Sequence, residues 1–397
     1  MSPSTRVIVE AAVKIVVLIG GLMTAAAYLV LLERKMAAWI QDRRGPNRVG
    51  IPLTKLKLGG LGQPLADGLK FIFKEEYVPE HVDKPLYKLA PLTIMAAALA
   101  GFAVIPFGSF IPWGDETIPL VVAPGIDVGI IYIFALGSLA VYGVVLGGWA
   151  TNNKYSFLGG LRSSAQLIAY EIPLSLGILG VVLVSGTLRL DTIIETQAQQ
   201  GWNVLFQPLG FFVFLVAAFA ESARLPFDLP ECEQELIGGY HTEYAGMRLL
   251  LYLIAEFLHM VTASFLIVIL FFGGWHFWGL TGYENEATWL QAILRIAVLG
   301  VKIMAVILFF MMVRWSWPRF RFDQLMALAW KVMLPLGLIN FVLVAVAVEF
   351  QEPLDATLGR SGVAAVMWAL MVVSFVLMAI AAPMRNSNRP RIESYSA

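Results

Sequence analysis

The chain has 397 residues, 58% of them hydrophobic and only 14% charged, with 28 basic residues against 28 acidic ones. A mean hydropathy of +0.75 excludes a set of soluble domains and indicates a polytopic helical membrane protein, with the lipid bilayer as solvent and no nucleic acid as partner. A lone cysteine, Cys232, excludes an internal disulfide and a thiolate-held cluster or zinc, and the four histidines show no ligand spacing, so metal chemistry belongs to a partner.

The first apolar run, 7–32, is too long for the core of a signal peptide and ends in Glu33-Arg34-Lys35, so it reads as a retained helix. A basic segment, 33–88, follows. Within it "GLGQPLADGLKFIFKEE" sets Leu61, Leu65, Leu69, Ile72 and Phe73 at helical spacing opposite Asp67, Lys70 and Lys74. Such a helix lies on the membrane surface or covers the mouth of a cavity. Eight further spans are expected over 89–108, 128–149, 168–187, 204–220, 248–272, 290–313, 332–349 and 362–383. Three stretches, 89–114, 128–153 and 361–384, contain no charged residue at all. The tail 384–397 is polar and expected to be loose. The fold class is therefore all-α, one integral membrane domain of about nine transmembrane helices with amphipathic surface helices. No internal repeat or inverted pair of interrupted helices is visible.

The segments 33–88, 150–165, 221–248, 314–331 and 384–397 share one side and carry 22 of the 28 Lys and Arg residues. The other side carries Arg6, Arg189 and Arg360. This bias predicts that the large loops and the C-terminus are cytoplasmic and the N-terminus is outside.

Six acids (Glu221, Asp228, Glu231, Glu233, Glu235, Glu243) gather between positions 221 and 243 around one base, Arg224. Charge alone would make this a solvated turn. "LPFDLP" and "IGGY" argue instead for a folded, partly buried segment, since Pro226, Pro230, Gly238 and Gly239 set sharp turns among apolar residues. An extended stretch would point Glu231, Glu233 and Glu235 one way, and a helix would fan them apart. Glu171 opens the fourth span, Glu221 closes the fifth, and Glu256 lies about two turns inside the sixth. Acids at such positions are expensive, and these three are candidates to converge on one hydrated pocket that exchanges protons. The bland alternative, a snorkelling or helix-locking pair, suits Glu10 and Lys14 better. Lys302 and Arg295 are seven residues apart, nearly on one face of the seventh span.

Five blocks resemble a known family: "ERKMAAWIQDRRGPNRVG" (33–50), "QPLADGLKFIFKE" (63–75), "GWATNNKYSFLGGLRSSAQLIAYE" (148–171), "RLPFDLPECEQELIGGYHTEY" (224–244) and "RWSWPRFRFDQLMALAWK" (314–331). They are similar, in the same order, to the signature blocks of the H-subunit family of bacterial respiratory complex I, the counterpart of the first mitochondrially encoded subunit. The resemblance implies a membrane subunit of a proton-pumping NADH:quinone oxidoreductase in the bacterial inner membrane. It would form much of the tunnel for a quinone substrate and link quinone reduction to proton translocation, with no redox activity of its own. Iron–sulfur clusters, flavin and NADH would sit on partner subunits. The partners implied are the hydrophilic subunits at the quinone site and the small membrane subunits of the pumping arm.

By matched position, Glu33, Arg34, Arg43, Asp67 and Arg314 resemble tunnel or entrance residues. Arg224, Asp228, Glu231, Glu233 and Glu235 resemble the loop charges along the head-group path, and Glu171, Glu221 and Glu256 the acids of the proton path. Three features depart from the pattern. Cys232 stands where Ala or Gly is more usual, Phe257 where Tyr is frequent, and 273–289 and 350–383 exceed the shortest members. The alternatives are the equivalent subunit of a quinone-reducing complex with another donor or of a membrane-bound hydrogenase. Outside the family stand a secondary transporter, which would need repeated halves, and a structural anchor, which leaves Glu256 and Lys302 unexplained.

Overall fold

The structure is a computed structural model that describes residues 3–50, 57–113, 116–229, 236–281 and 288–381. Glu231, Glu233, Glu235 and Cys232 therefore lie outside the described residues, as does the tail from 382 onward. The principal helices are α1 (Pro3–Ile40), α2 (Gln63–Phe73), α3 (Lys84–Gly101), α4 (Gly129–Ala150), α5 (Lys154–Ser185) and α6 (Leu190–Gln200). They continue with α7 (Pro208–Glu221), α8 (Gly246–Phe271), α9 (Trp289–Ser316), α10 (Phe322–Glu349) and α11 (Gln351–Ala381).

Among the described residues, seven helices are long and apolar enough to cross a membrane: α1, α4, α5, α8, α9, α10 and α11. The protein is an all-α polytopic membrane protein. Two of the nine expected spans map to helices below that threshold. α3 has 18 residues and begins with the polar Lys84 and Lys88. α7 has 14 residues, about 21 Å at the helical rise and short of the ~30 Å hydrocarbon layer. Elsewhere the helices outrun the apolar runs: α5 starts at Lys154, well before 168, and α10 starts at Phe322, before 332.

Local chemistry explains these starts. The Asn153 side chain accepts from the Tyr155 amide at 2.9 Å, an N-cap well ahead of the continuous apolar stretch. Gly186 closes the same helix in the left-handed region at φ 64. α10 passes through a π turn at Ala329–Met333, just ahead of Pro335, whose missing N–H and bulky ring disturb the preceding helical ladder. A small antiparallel hairpin, β1 (Phe110–Trp113) with β2 (Glu116–Pro119), follows α3 and was not legible in the sequence.

α3 packs along α4, and α5 packs against α4, α7 and α10. Association of apolar helices in lipid depends on close fit rather than on water exclusion. At Gly177 an added Cβ would stand 3.1 Å from the Gly210 carbonyl oxygen, so the glycine permits the α5–α7 approach. α1 and α11 lie at the periphery, with only 22% and 11% of their apolar windows buried within the chain. Two faces follow from the contacts. One, the loop face, gathers the ends of α1, α4, α7 and α9 and the starts of α3, α5, α8 and α10. The opposite face carries the hairpin, α6 and the turn after α8.

Candidate functional site: buried charges on the loop face

At the loop face Glu33 of α1 is 8% exposed and receives two arginines: Arg224 Nη1 at 3.3 Å and Arg314 Nη1 from α9. The Arg224 guanidinium also lies 4.3 Å above the Phe257 ring. The departure at 257 thus presents an unsubstituted aromatic face to a buried cation, a favourable contact. Arg224 is 6% exposed, and its Nε and Nη2 have no hydrogen-bond partner among the described residues. Buried guanidinium donors left over in this way call for an acceptor. Asp228, also 6% exposed, accepts from Arg319 Nη2 at 2.9 Å. The described part of the acidic loop is folded, since Phe227, Leu229, Leu236, Tyr240 and Tyr244 are all buried. Gln166 of α5 pins its start by donating to the Ala220 and Phe227 carbonyls, both at 2.8 Å.

The three acids suggested by position come together, though not as one contact. Ser138 of α4 donates to Glu171. Glu221 reaches the adjacent residue, Gly137, where an added Cβ would stand 3.2 Å from its Oε1. Glu256 accepts from Tyr240 at 3.1 Å. Glu221 and Glu256 line a shared cavity of about 40 Å³ with Tyr240 and His259, large enough for water. Glu171 and Glu221 thus meet α4 at neighbouring positions, and Glu221 and Glu256 meet across water-sized space.

Farther out, Arg34 Nη1 bonds Asp67 at 2.7 Å, and Gln63 holds the other carboxylate oxygen at 2.8 Å. These contacts lash α2 to α1. The apolar residues of α2 stay exposed, Leu65, Ile72 and Phe73 among them, so it is a surface helix. Arg43 stands apart and exposed, bonded to Gln41 at 2.8 Å. Beside α2 a groove of about 780 Å³ runs between α1, α8 and α9, from Lys14 to Lys35 and Leu61, with almost entirely apolar walls. Among the described residues no group of three His, Cys, Asp or Glu side chains is placed to hold a metal ion.

On the opposite face Lys302 of α9 donates to three carbonyls, Phe272 at 2.7 Å, Gly274 at 3.0 Å and His276 at 2.6 Å. This cage accounts for an intramembrane lysine by structure alone. Arg295 bonds the Thr281 carbonyl and, at 3.1 Å, Ser109. Burial, and then the charges of Lys302 and Arg295, hold the nearby His276 below the ordinary histidine range. Sequence patterns assign no role to Gln166, Arg319, His259 or Tyr240. Gln166, Arg319 and Tyr240 lie inside the quoted blocks, but their partners are 54 and 61, 91 and 16 residues away, beyond any local pattern.

The fold and site define a helical membrane protein that draws ionisable residues inward, its buried carboxylates Glu33 and Asp228 on the loop face. The family model described as NADH dehydrogenase matches residues 13–345, and the chain belongs to that family. It is 44% identical over 353 residues to the H subunit of the NADH-quinone oxidoreductase of Flavobacterium johnsoniae, covering 89% of this chain and 98% of the relative. It is 47% identical over 325 residues to the corresponding H subunit, numbered 1, of Cytophaga hutchinsonii, covering 81% and 91%. It is 43% identical over 345 residues to the H subunit of the Syntrophotalea carbinolica enzyme, covering 87% and 98%.

Proposed function

We propose that this chain is the membrane subunit of a proton-pumping NADH:quinone oxidoreductase that guides a quinone to its reduction site and passes the coupled protons. The observation that carries the reading is the union of an apolar groove with a buried charged cluster. The groove of about 780 Å³ suits an isoprenoid tail, which gains only by leaving water or displacing lipid. Glu33 lies one helical turn beyond Leu29, a groove residue, and holds Arg224, two of whose guanidinium nitrogens have no partner among the described residues. Those nitrogens suit the carbonyl oxygens of a quinone ring or the loop acids Glu231, Glu233 and Glu235. Arg34 and Asp67 border the mouth, Asp228 and Arg314 the inner wall, and Arg43 the outer surface toward a partner.

Electrons come from an iron–sulfur cluster on a hydrophilic partner, which also answers to flavin and NADH farther off. Reduction of the quinone takes up two electrons and two protons, and the charge change is felt by Glu221, Glu256 and Glu171. These acids form the start of a proton path toward the small membrane subunits. The basic bias sets the loop face in the cytoplasm of a bacterium, with the N-terminus outside.

The test uses Glu256→Gln in the assembled complex. The amide keeps the shape and the acceptor for Tyr240 but removes the exchangeable proton. Donor-side activity with an artificial acceptor should survive, while quinone-linked turnover and pumping fall together. Wild-type pumping by the assembled variant sinks the proton-path reading.

A further inference from the structure

His259 lies one turn beyond Glu256 on α8, three residues on and so on the same face. It lines the 40 Å³ cavity it shares with Glu221 and Glu256, and also a second cavity of about 20 Å³. Glu221, Gly137 and His259 are the residues common to both. The second cavity continues along α8 away from the acidic loop, past Thr262 to Leu266, and against Gly101 of α3. A Cβ at Gly137 would stand 3.2 Å from Glu221 Oε1, so a side chain there would crowd the carboxylate that both cavities share.

Neither ring nitrogen of His259 has a hydrogen-bond partner among the described residues, and neither does the Glu221 carboxylate. Polar groups withdrawn from bulk solvent are satisfied by protein or by water, and each cavity exceeds the ~10–15 Å³ that one water needs. An imidazole has one bare nitrogen and one N–H on opposite sides of the ring, so it accepts on one side and releases on the other. Packing alone would be served as well by a leucine, which asks for no partner.

We propose that His259 is a proton relay that joins the Glu221–Glu256 cavity to the second cavity on α8. This rests on the proton-path reading given above and adds a residue to it. A proton leaves the Glu221 or Glu256 carboxyl for a cavity water, and that water protonates the bare ring nitrogen. The N–H on the far side then loses its proton to water in the second cavity. One carboxylate and one hydrated proton result, and the imidazole ends neutral in its other tautomer. A ring turn or the reverse transfer resets it. The titratable groups facing it are Glu221 from α7, Glu256 from α8 and Tyr240 from the loop, all on the first cavity.

The experiment uses the whole complex in proteoliposomes, with His259→Gln, His259→Ala and Glu256→Gln side by side. Assembly is checked by donor-side activity with an artificial acceptor. Glutamine keeps polarity and size but does not relay, so quinone-linked turnover and pumping should fall on the order of tenfold to hundredfold. His259→Ala should fall similarly and recover with added imidazole, but not with pyrrole, which has the same shape and no basic nitrogen. Wild-type pumping by His259→Gln while Glu256→Gln is slow overturns the relay and leaves the proton-path reading standing. Wild-type pumping by both overturns that reading and the relay with it. A slow His259→Ala complex that imidazole does not restore makes His259 a packing residue and also overturns the relay.

Discussion

Arg224 and Lys302 are both cations drawn into the helix bundle, and they are neutralised in opposite ways. Lys302 meets three main-chain carbonyls and stands 4.6 Å from the Trp202 ring. Its partners are uncharged and do not titrate, so the arrangement is a clamp that fixes the turn after α8 to α9. Arg224 shares a single carboxylate, Glu33, with Arg314 and keeps two nitrogens without a partner among the described residues. Two guanidinium groups on one carboxylate leave net positive charge in the wall of the site. Buried charge by itself therefore does not mark function. Charge left incompletely answered among the described residues is the better place to test for it.

The sharpest way to break this comparison is to remove the shared acid. Glu33→Gln leaves two arginines facing an uncharged amide, and breaking a buried ionic contact costs about 3–5 kcal/mol. The complex should assemble poorly, and what assembles should show strongly weakened quinone-linked turnover. Full yield and normal quinone kinetics would mean that neighbouring acids neutralise the arginines without Glu33.

Lys302→Met tests the other pole. Three carbonyls lose a charged donor, and hydrogen bonds to charged groups contribute about 1.5–3 kcal/mol each at most, with partial relief from water. The thermal midpoint of the complex should drop by several degrees, with quinone affinity and pumping per quinone unchanged in the surviving fraction. A pumping defect without loss of stability would make Lys302 part of the proton machinery and dissolve the contrast.

The sequence revealed this contrast only in part. Long charge-free runs made the membrane class and the larger helices legible, because each helix in lipid satisfies its own backbone. The hairpin at 110–119 carries no strict alternation, and α7 is short because it starts only at Pro208, after a separate helical turn at Asn203–Phe206 that the apolar run does not distinguish. Glu171, Glu221 and Glu256 could be picked out one by one, since an acid in an apolar run is conspicuous. That Glu221 abuts Gly137 while Ser138 holds Glu171 depends on how α4 docks against α5 and on where α7 turns into the loop, which no spacing encodes. Lys302 drew suspicion for the same conspicuousness, yet its partners are backbone atoms, which a sequence never displays. His259 went unnoticed because a lone histidine in an apolar helix looks like core.

A smaller effect belongs to the link between α1 and α2. The Arg34–Asp67 pair is 49% and 26% exposed, so its contribution to stability is on the order of 1 kcal/mol or less. Asp67→Asn should leave the thermal midpoint within a degree or two. Because Lys35 and Leu61, next to this pair on the two segments it joins, line the groove, the apparent affinity for quinone analogues should nevertheless shift in the assembled complex. Unchanged inhibitor titrations for both Asp67→Asn and Arg34→Ala would remove this pair from the mouth of the groove.

The least effect is expected at Asp191 on the opposite face, an ion pair at the surface to set against the buried ones. Asp191 accepts from Arg189 Nη2 at 2.8 Å and Nε at 3.2 Å, and from the Thr192 amide at 2.9 Å at the start of α6. The Arg189 hydrogen bonds, working against partial burial, hold its carboxyl below the ordinary value of 3.8. A carboxyl lowered by folding stabilises the fold at any pH above its unfolded value, and that stabilisation is lost as pH falls through the lower, folded value. Both side chains are more than one-third exposed, so solvent screening keeps the contribution to about 0.5 kcal/mol. Asp191→Asn should lower the thermal midpoint by a degree or less at pH 6 to 8, an offset that shrinks toward zero below about pH 4. Raising the salt concentration at pH 7 should shrink it likewise. An offset of several degrees that persists in acid and in high salt would show that Asp191 acts through α6 packing rather than charge, and that the opposite face also holds its acids for structure.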